Sequence, residues 1–414
     1  MPTMAAMNLR PARVLLLAAC LLALPFRAPA PLVYEQGEGW VYRPSAGSPV
    51  VPPELALRQQ LVPYDLETVY WTLDTTNTPF LKEPELSKQS VFRGWLRFGN
   101  KDTNNAIAVI WDQPKSKLYV DQNRNLDLTD DPAGVFSSTN KGPNQVFTNV
   151  TVLLRTAAGL HPAILGVRLW SDGAARQMHA QLDSRSLWEA KVGQPGAEWQ
   201  VAALDDPFSP EGPAFAKFLL LRPWTARTNR LYLRDLTSGI VRFPDQLFWL
   251  GEAFRLERRF DSQAGTPVCK LEFTPQQPAL TELKLSGESL YYAVLRATNG
   301  YTVVLSEAPG AVKVPQGVYT ANAVWLKKGA AEAFRLAEAP LLLNATGPIK
   351  VVLGGPLTNS VTLERYGRKL NMNYRLVGAD GGSYRLVQQD RAQPPDFTVY
   401  HGGKKVLSGA FAFG

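Results

Sequence analysis

Apolar residues recur along most of this chain in short runs, many alternating with polar residues, and the runs end at Gly, Asn, Asp or Pro. Period-two alternation over so few positions is the pattern of half-buried β-strands. Between residues 90 and 275 it predicts strands at Ala106–Trp111, Lys117–Val120, Val146–Arg155, Ile164–Trp170, Gln177–Leu182, Phe218–Leu221, Leu231–Leu233, Leu247–Phe260 and Cys269–Phe273. Ser184–Val192 reads as a turn or two of helix. Glu54–Leu61, behind the Pro52-Pro53 pair, reads as a short helix. Lys117-Leu-Tyr-Val-Asp121 and Arg230-Leu-Tyr-Leu-Arg234 share a strand core and suggest a weak internal duplication.

Thr274-Pro-Gln-Gln-Pro-Ala279 has two prolines and no apolar anchor, so it reads as a linker. Beyond it, Asn299-Gly300 sits between Ala293–Thr298 and Tyr301–Leu305, the two-residue hairpin pattern. Further hairpin turns are expected at Glu364–Arg368 and Tyr400–Lys404. Asp380-Gly-Gly-Ser-Tyr384 has the spacing of a tyrosine corner, in which the hydroxyl bonds back to the main chain. The predicted fold is mainly β. A middle antiparallel β domain over 91–275 precedes an immunoglobulin-like β-sandwich over 276–414, and a Pro-rich region over 31–90 leads into both.

The start of the chain changes the picture. Arg10 and Arg13 precede an apolar stretch, Val14–Phe26, and Ala28-Pro-Ala30 supplies small residues for cleavage. Residues 1–30 thus read as a secretory signal peptide, too short to span a bilayer, which needs about 20 apolar residues. Leu17-Ala-Ala-Cys20 offers a lipoprotein alternative through Cys20. The mature chain is expected in the periplasm, cell envelope or extracellular space, with no transmembrane helix. It then holds one cysteine, Cys269, which leaves no internal disulfide and no multi-cysteine zinc site. Removing Arg10, Arg13 and Arg27 from a net charge of +8 leaves +5, too little and too spread for a nucleic-acid partner. In the last 65 residues nine Lys/Arg face four acids, Glu364, Asp380, Asp390 and Asp396. That excess reads as a solvated face or as a contact with an anionic surface.

The stretch with a definite chemistry is Lys117–Pro132. A strand feeds into Asp121, Asn123, Asn125 and Asp127, followed by Thr129, Asp130 and Asp131. Oxygen-bearing side chains at every second position suit calcium, a hard cation that takes six to eight oxygens. Against an EF-hand-type loop, Asp121, Asn123 and Asn125 match the first three ligands and Asp127 offers a carbonyl. Leu128 suits the apolar pin, and Asp130 or Asp131 closes the site. Leu126 stands where glycine is usual, and Pro132 where a bidentate glutamate is usual. The other reading is an Asx-rich turn between strands.

Catalytic patterns are scarcer. His161, His179 and His401 lack metal-ligand spacing, and neither a Gly-x-Ser-x-Gly elbow nor a P-loop occurs. Cys269, in a strand pattern, reads as a buried inert thiol. The ten tryptophans are scattered along strands, where core packing is the default. The signal, Leu118–Asp131 and Gly354-Gly-Pro-Leu-Thr-Asn-Ser-Val361 together resemble a group of uncharacterised secreted bacterial proteins of planctomycete or verrucomicrobial type. Those proteins carry an Asp-x-Asn-x-Asp-like loop and a β-rich C-terminal part. The resemblance implies class and compartment, and no activity.

The resulting expectation is an exported, non-catalytic binding or structural module of the envelope, with one calcium ion (Ca2+) in the 121–132 loop. Its expected partner is an envelope polysaccharide or another envelope protein. The alternative is a secreted carbohydrate-active hydrolase that works through paired carboxylates.

Overall fold

The computed structural model describes residues 51–411, apart from 63–64, 74–79, 100–104, 157–158, 173–176, 194–196, 225–230, 232–238, 264–265, 307–309, 330, 336–341, 346–348, 368 and 388–394. The leader, Cys20 and the proline-rich stretch to residue 50 lie outside this set. So does Arg230–Arg234, except Leu231.

The chain is mainly β, and its first layer pair is a sandwich. One sheet runs Glu67–Leu73, Met178–Ser184, Gly159–Ser171, Asn144–Thr156. The other runs Val91–Arg97, Ala106–Asp112, Lys117–Val120, Val135–Ser137. Alternation supplies one apolar face per sheet: along Met178–Ser184 every second residue is buried. Ile107, Val109, Leu118 and Val120 from one sheet meet Val152, Leu165, Val167 and Leu182 from the other in a single core.

A longer sheet begins Ile240–Arg242, Ala214–Pro223, Trp199–Asp206, Ser186–Val192, then Glu54–Leu61, Thr266–Gln276, Glu252–Gln263, Gln246–Trp249. Leu219 and Val241 near one end of this run share a core with Leu247 and Trp249 at the other, and with Leu57 and Leu271 between. The run therefore bends round on itself. Gln246–Trp249 then pairs in parallel with Tyr301–Ser306, and the sheet continues through Leu290–Ala297, Gly317–Lys328 and Ala331–Arg335. Facing these strands is the three-stranded sheet of Leu280–Ser286, Gly310–Pro315 and Ile349–Val352. Leu283, Leu285, Val314 and Val351 pack against Leu295, Val303, Leu305 and Tyr319 to make the C-terminal sandwich core. Two hairpins complete the chain: Thr358–Tyr366 with Lys369–Val377, and Asp396–His401 with Lys404–Ala410.

Several local expectations are corrected. Glu54–Leu61 is a strand, not a helix; it lies between Ser186–Val192 and Thr266–Gln276, with Arg58 opposite Glu189 and Leu57 opposite Cys269. Ser186–Val192 is likewise a strand, because its buried Trp188 and Glu189 face neighbours on both sides of the sheet. Leu247–Phe260 divides at Leu250-Gly251, both at positive φ, into two antiparallel strands. The supposed linker is half strand: Thr274, Pro275 and Gln276 pair with Arg255, Phe254 and Ala253. The three hairpin turns stand where the sequence puts them.

The corner at Tyr384 has a different bond from the one expected. Its hydroxyl donates to the Asp380 carboxylate at 3.0 Å. The main-chain version is made by Tyr319, fully buried, whose hydroxyl donates to the Pro315 carbonyl four residues upstream. The pattern Gly317-Val-Tyr319 was its sequence cue.

Candidate metal centre

The candidate loop starts where the Lys117–Val120 strand ends. Asp121 donates its N–H to the Ala108 carbonyl at 3.0 Å, the last such bond before the chain turns away. Its carboxylate then organises the turn. Oδ1 accepts the N–H of Arg124 at 2.8 Å and of Asn125 at 3.2 Å, and Oδ2 accepts that of Leu126 at 3.1 Å. To aim three successive N–H groups at one side chain, the backbone passes through positive φ at Arg124 (64°) and Leu126 (63°). Leu126 thus takes the conformation usual for glycine at that place, at a cost of roughly 1–2 kcal/mol. The Asp121 bonds offset it, together with the Leu126 carbonyl, which accepts from Leu81 and Lys82.

The side chains close over this frame. Asn123 Oδ1 accepts the Asn125 N–H (3.1 Å), and Asn125 Oδ1 accepts the Asp127 N–H (2.7 Å). The Asn123 and Asn125 amides also donate to the two oxygens of Asp130, at 3.1 and 2.7 Å. Asp131 is buried and accepts the Gln122 N–H at 3.2 Å. Burial, and then the negative charge of Asp121, push its carboxyl above the usual range. Asp121, Asn123, Asn125, Asp130 and Asp131 are therefore brought together. The Asp127 carboxylate is held apart, by Lys82 at 2.8 Å and by Thr129, and lies at about 2 because those hydrogen bonds favour the ionised form. Only the Asp127 carbonyl is left for a metal. Among the described residues no three His, Cys, Asp or Glu side chains form a metal cage by themselves. Calcium here would also draw on the oxygens of Asn123 and Asn125 and on main-chain carbonyls, donors that suit a hard cation.

Long-range anchors hold the loop still. Leu128 is buried against Ile110 and Tyr119. Gln122 donates to the Thr151 carbonyl (3.1 Å), and Arg124 to that of Leu153 (2.5 Å), both on the facing sheet. Lys82 and Arg124 were missed in the sequence, since nothing local links residues 82 or 153 to this loop. Gly134 packs behind it: a methyl group there would sit 2.2 Å from the Val120 carbonyl oxygen. Gly134→Ala is expected to destabilise the protein by about 1–3 kcal/mol, as overpacking does. A lowered midpoint in a circular-dichroism melt would show it.

The remaining candidates are structural. Cys269 is buried and free, and burial drives its thiol far above the ordinary value. His161 packs against Phe215 and Phe260, His179 stacks on Trp170, and His401 is exposed at a hairpin turn. Trp111, Trp188, Trp199, Trp249 and Trp325 are buried in cores. Among the described residues, no helix is long and apolar enough to cross a membrane. Compared with known proteins, the chain matches no protein-family model, no curated protein and no solved structure.

Proposed function

We propose that this chain is an exported, non-catalytic envelope module whose 121–131 loop binds one calcium ion. The observation that carries the metal reading is the Asp121 carboxylate gathering three successive backbone N–H groups, which folds Asn123, Asn125, Asp130 and Asp131 into one compact turn. Three carboxylates crowd there, and their mutual repulsion favours a divalent cation. The ion would stiffen the end of the first sandwich, where the loop bridges its two sheets. Export rests on the leader, and the module reading on the burial of Cys269, of His161 and of five of the ten tryptophans in cores.

Thermal unfolding with calcium and then with EDTA tests the site. A ligand at a hundred times its dissociation constant stabilises by ~2.7 kcal/mol, a midpoint shift of roughly 5–10 °C for a protein of this size. Asp130→Ala, at an exposed position, is expected to leave the fold intact and remove the shift. Identical melts of the wild type in calcium and EDTA would return the loop to a polar turn.

A further inference from the structure

The hairpin of Thr358–Tyr366 and Lys369–Val377 has two unlike faces. The pairs Val361–Tyr374 and Leu363–Met372 put the apolar residues on one side, together with Leu370 and Leu376. Thr362, Asn371, Asn373 and Arg375 lie on the other. At its root this apolar face is covered, with Leu376 packed on the sandwich core. Towards the tip it is bare: Leu363 is 62% exposed and Leu370 51%. Tyr366, 62% exposed, lies at the tip on the opposite face, where its hydroxyl donates to Glu364. Arg365 stands on the apolar face directly opposite Leu370, and Lys369 on the other face opposite Tyr366, with Arg368 between them in sequence and one acid, Glu364, nearby. The second hairpin repeats the chemistry, with exposed Tyr400, Val406 and Leu407 beside Lys404 and Lys405.

Exposed aliphatics, a tyrosine and a cation cluster at one tip suit the boundary of a lipid bilayer. Tyrosine is enriched there, apolar side chains reach the acyl region, and Lys/Arg meet anionic headgroups. We infer that this hairpin tip docks on an anionic phospholipid surface, with Leu363 and Leu370 entering the headgroup–acyl boundary. Arg365 beside them and Lys369 on the other face pair with phosphates, and Tyr366 meets the headgroups from that other face at the tip. Charge complementarity favours this occupant over a second copy, whose tip would bring like charges together. The two leucines favour it over a polysaccharide, since they offer sugar hydroxyls no hydrogen-bonding partner. The inference rests on the envelope reading for its biological setting.

Co-sedimentation of the mature protein with vesicles tests it. Binding is expected to phosphatidylcholine containing roughly one third phosphatidylglycerol, to be absent on pure phosphatidylcholine, and to weaken with salt. Arg365→Gln/Lys369→Gln should lower partitioning roughly twenty-fivefold, about fivefold per cation. Leu363→Ser/Leu370→Ser should lower it roughly tenfold or more while melting as the wild type does. Three outcomes overturn the inference. The first is no sedimentation with either vesicle. The second is a leucine variant that binds like the wild type, with dextran sulfate competing fully, which marks a charge-only polyanion contact. The third is a dimer in light scattering that the leucine variant abolishes, with no vesicle binding. Cell fractionation separates this from the envelope reading: a cytoplasmic, uncleaved protein that still binds vesicles sinks that reading and leaves the docking site standing.

Discussion

His161→Phe is expected to make the protein more stable relative to wild type as the pH falls from 6.5 to 4, and Asp205→Asn to do the reverse. His161 is buried beside Phe215 and Phe260, and burial lowers its imidazole to about 4. An unfolded histidine titrates at about 6.5. Across that interval the unfolded chain takes the proton and the folded one does not, so wild-type stability is lost on acidification. Asp205 has the opposite sign. Desolvation raises its carboxyl to about 6, although it accepts the Ala216 N–H at 2.7 Å and the Trp188 indole N–H at 2.9 Å and feels the positive charge of Arg258. Between about 3.8 and 6 the folded state holds the proton and the unfolded one releases it, so stability is lost as the pH rises. Each shift is worth roughly 3 kcal/mol, and the two oppose each other over nearly the same range. Denaturant melts at several pH values should show the variants diverging from wild type in opposite directions. Parallel curves for all three proteins would refute the assignment.

Arg335→Met is expected to destabilise the C-terminal sandwich by about 3–5 kcal/mol, the usual cost of leaving one half of a buried ion pair alone. Arg335 Nε lies 3.0 Å from Asp380 Oδ2, the arginine side chain 9% and the aspartate 0% exposed. Tyr384 donates to the same oxygen, and the Gly382 N–H to the other. Without the guanidinium the carboxylate keeps two neutral donors and no counter-charge. Adding Asp380→Asn should recover much of the loss, because the remaining group is neutral. Chemical denaturation of the single and double variants would check this, and a double no better than the single would contradict it.

The strands could be read from the chain because alternation is a local property tied to one buried face, as Asn144–Thr156 and Met178–Ser184 show. Glu54–Leu61 could not. Its Ala, Leu, Arg and Gln are helix formers, and what makes it a strand is pairing with residues more than a hundred positions away. The tyrosine corner failed for a related reason. Gly-x-Tyr occurs at Gly317-Val-Tyr319 and at Gly382-Ser-Tyr384, and only the first hydroxyl reaches a main-chain carbonyl. At the candidate site the spacing named Asp121, Asn123, Asn125, Asp130 and Asp131, but Asp127 is diverted by Lys82, a partner 45 positions earlier in the chain. Asp205 and His161 carried no cue at all, since a pKa depends on neighbours and not on spelling.

The parallel pairing of Gln246–Trp249 with Tyr301–Ser306 bears on the evolution of this architecture. Beads on a string can be shuffled by recombination, each replaced without injury to the next. Here one part completes the other's hydrogen-bond ladder, and Tyr292 and Trp325 from beyond residue 276 are built into the core around Trp249. A gene fusion that exchanged the C-terminal part would leave a raw strand edge on one side and a hole on the other. The two halves are bound to be inherited together.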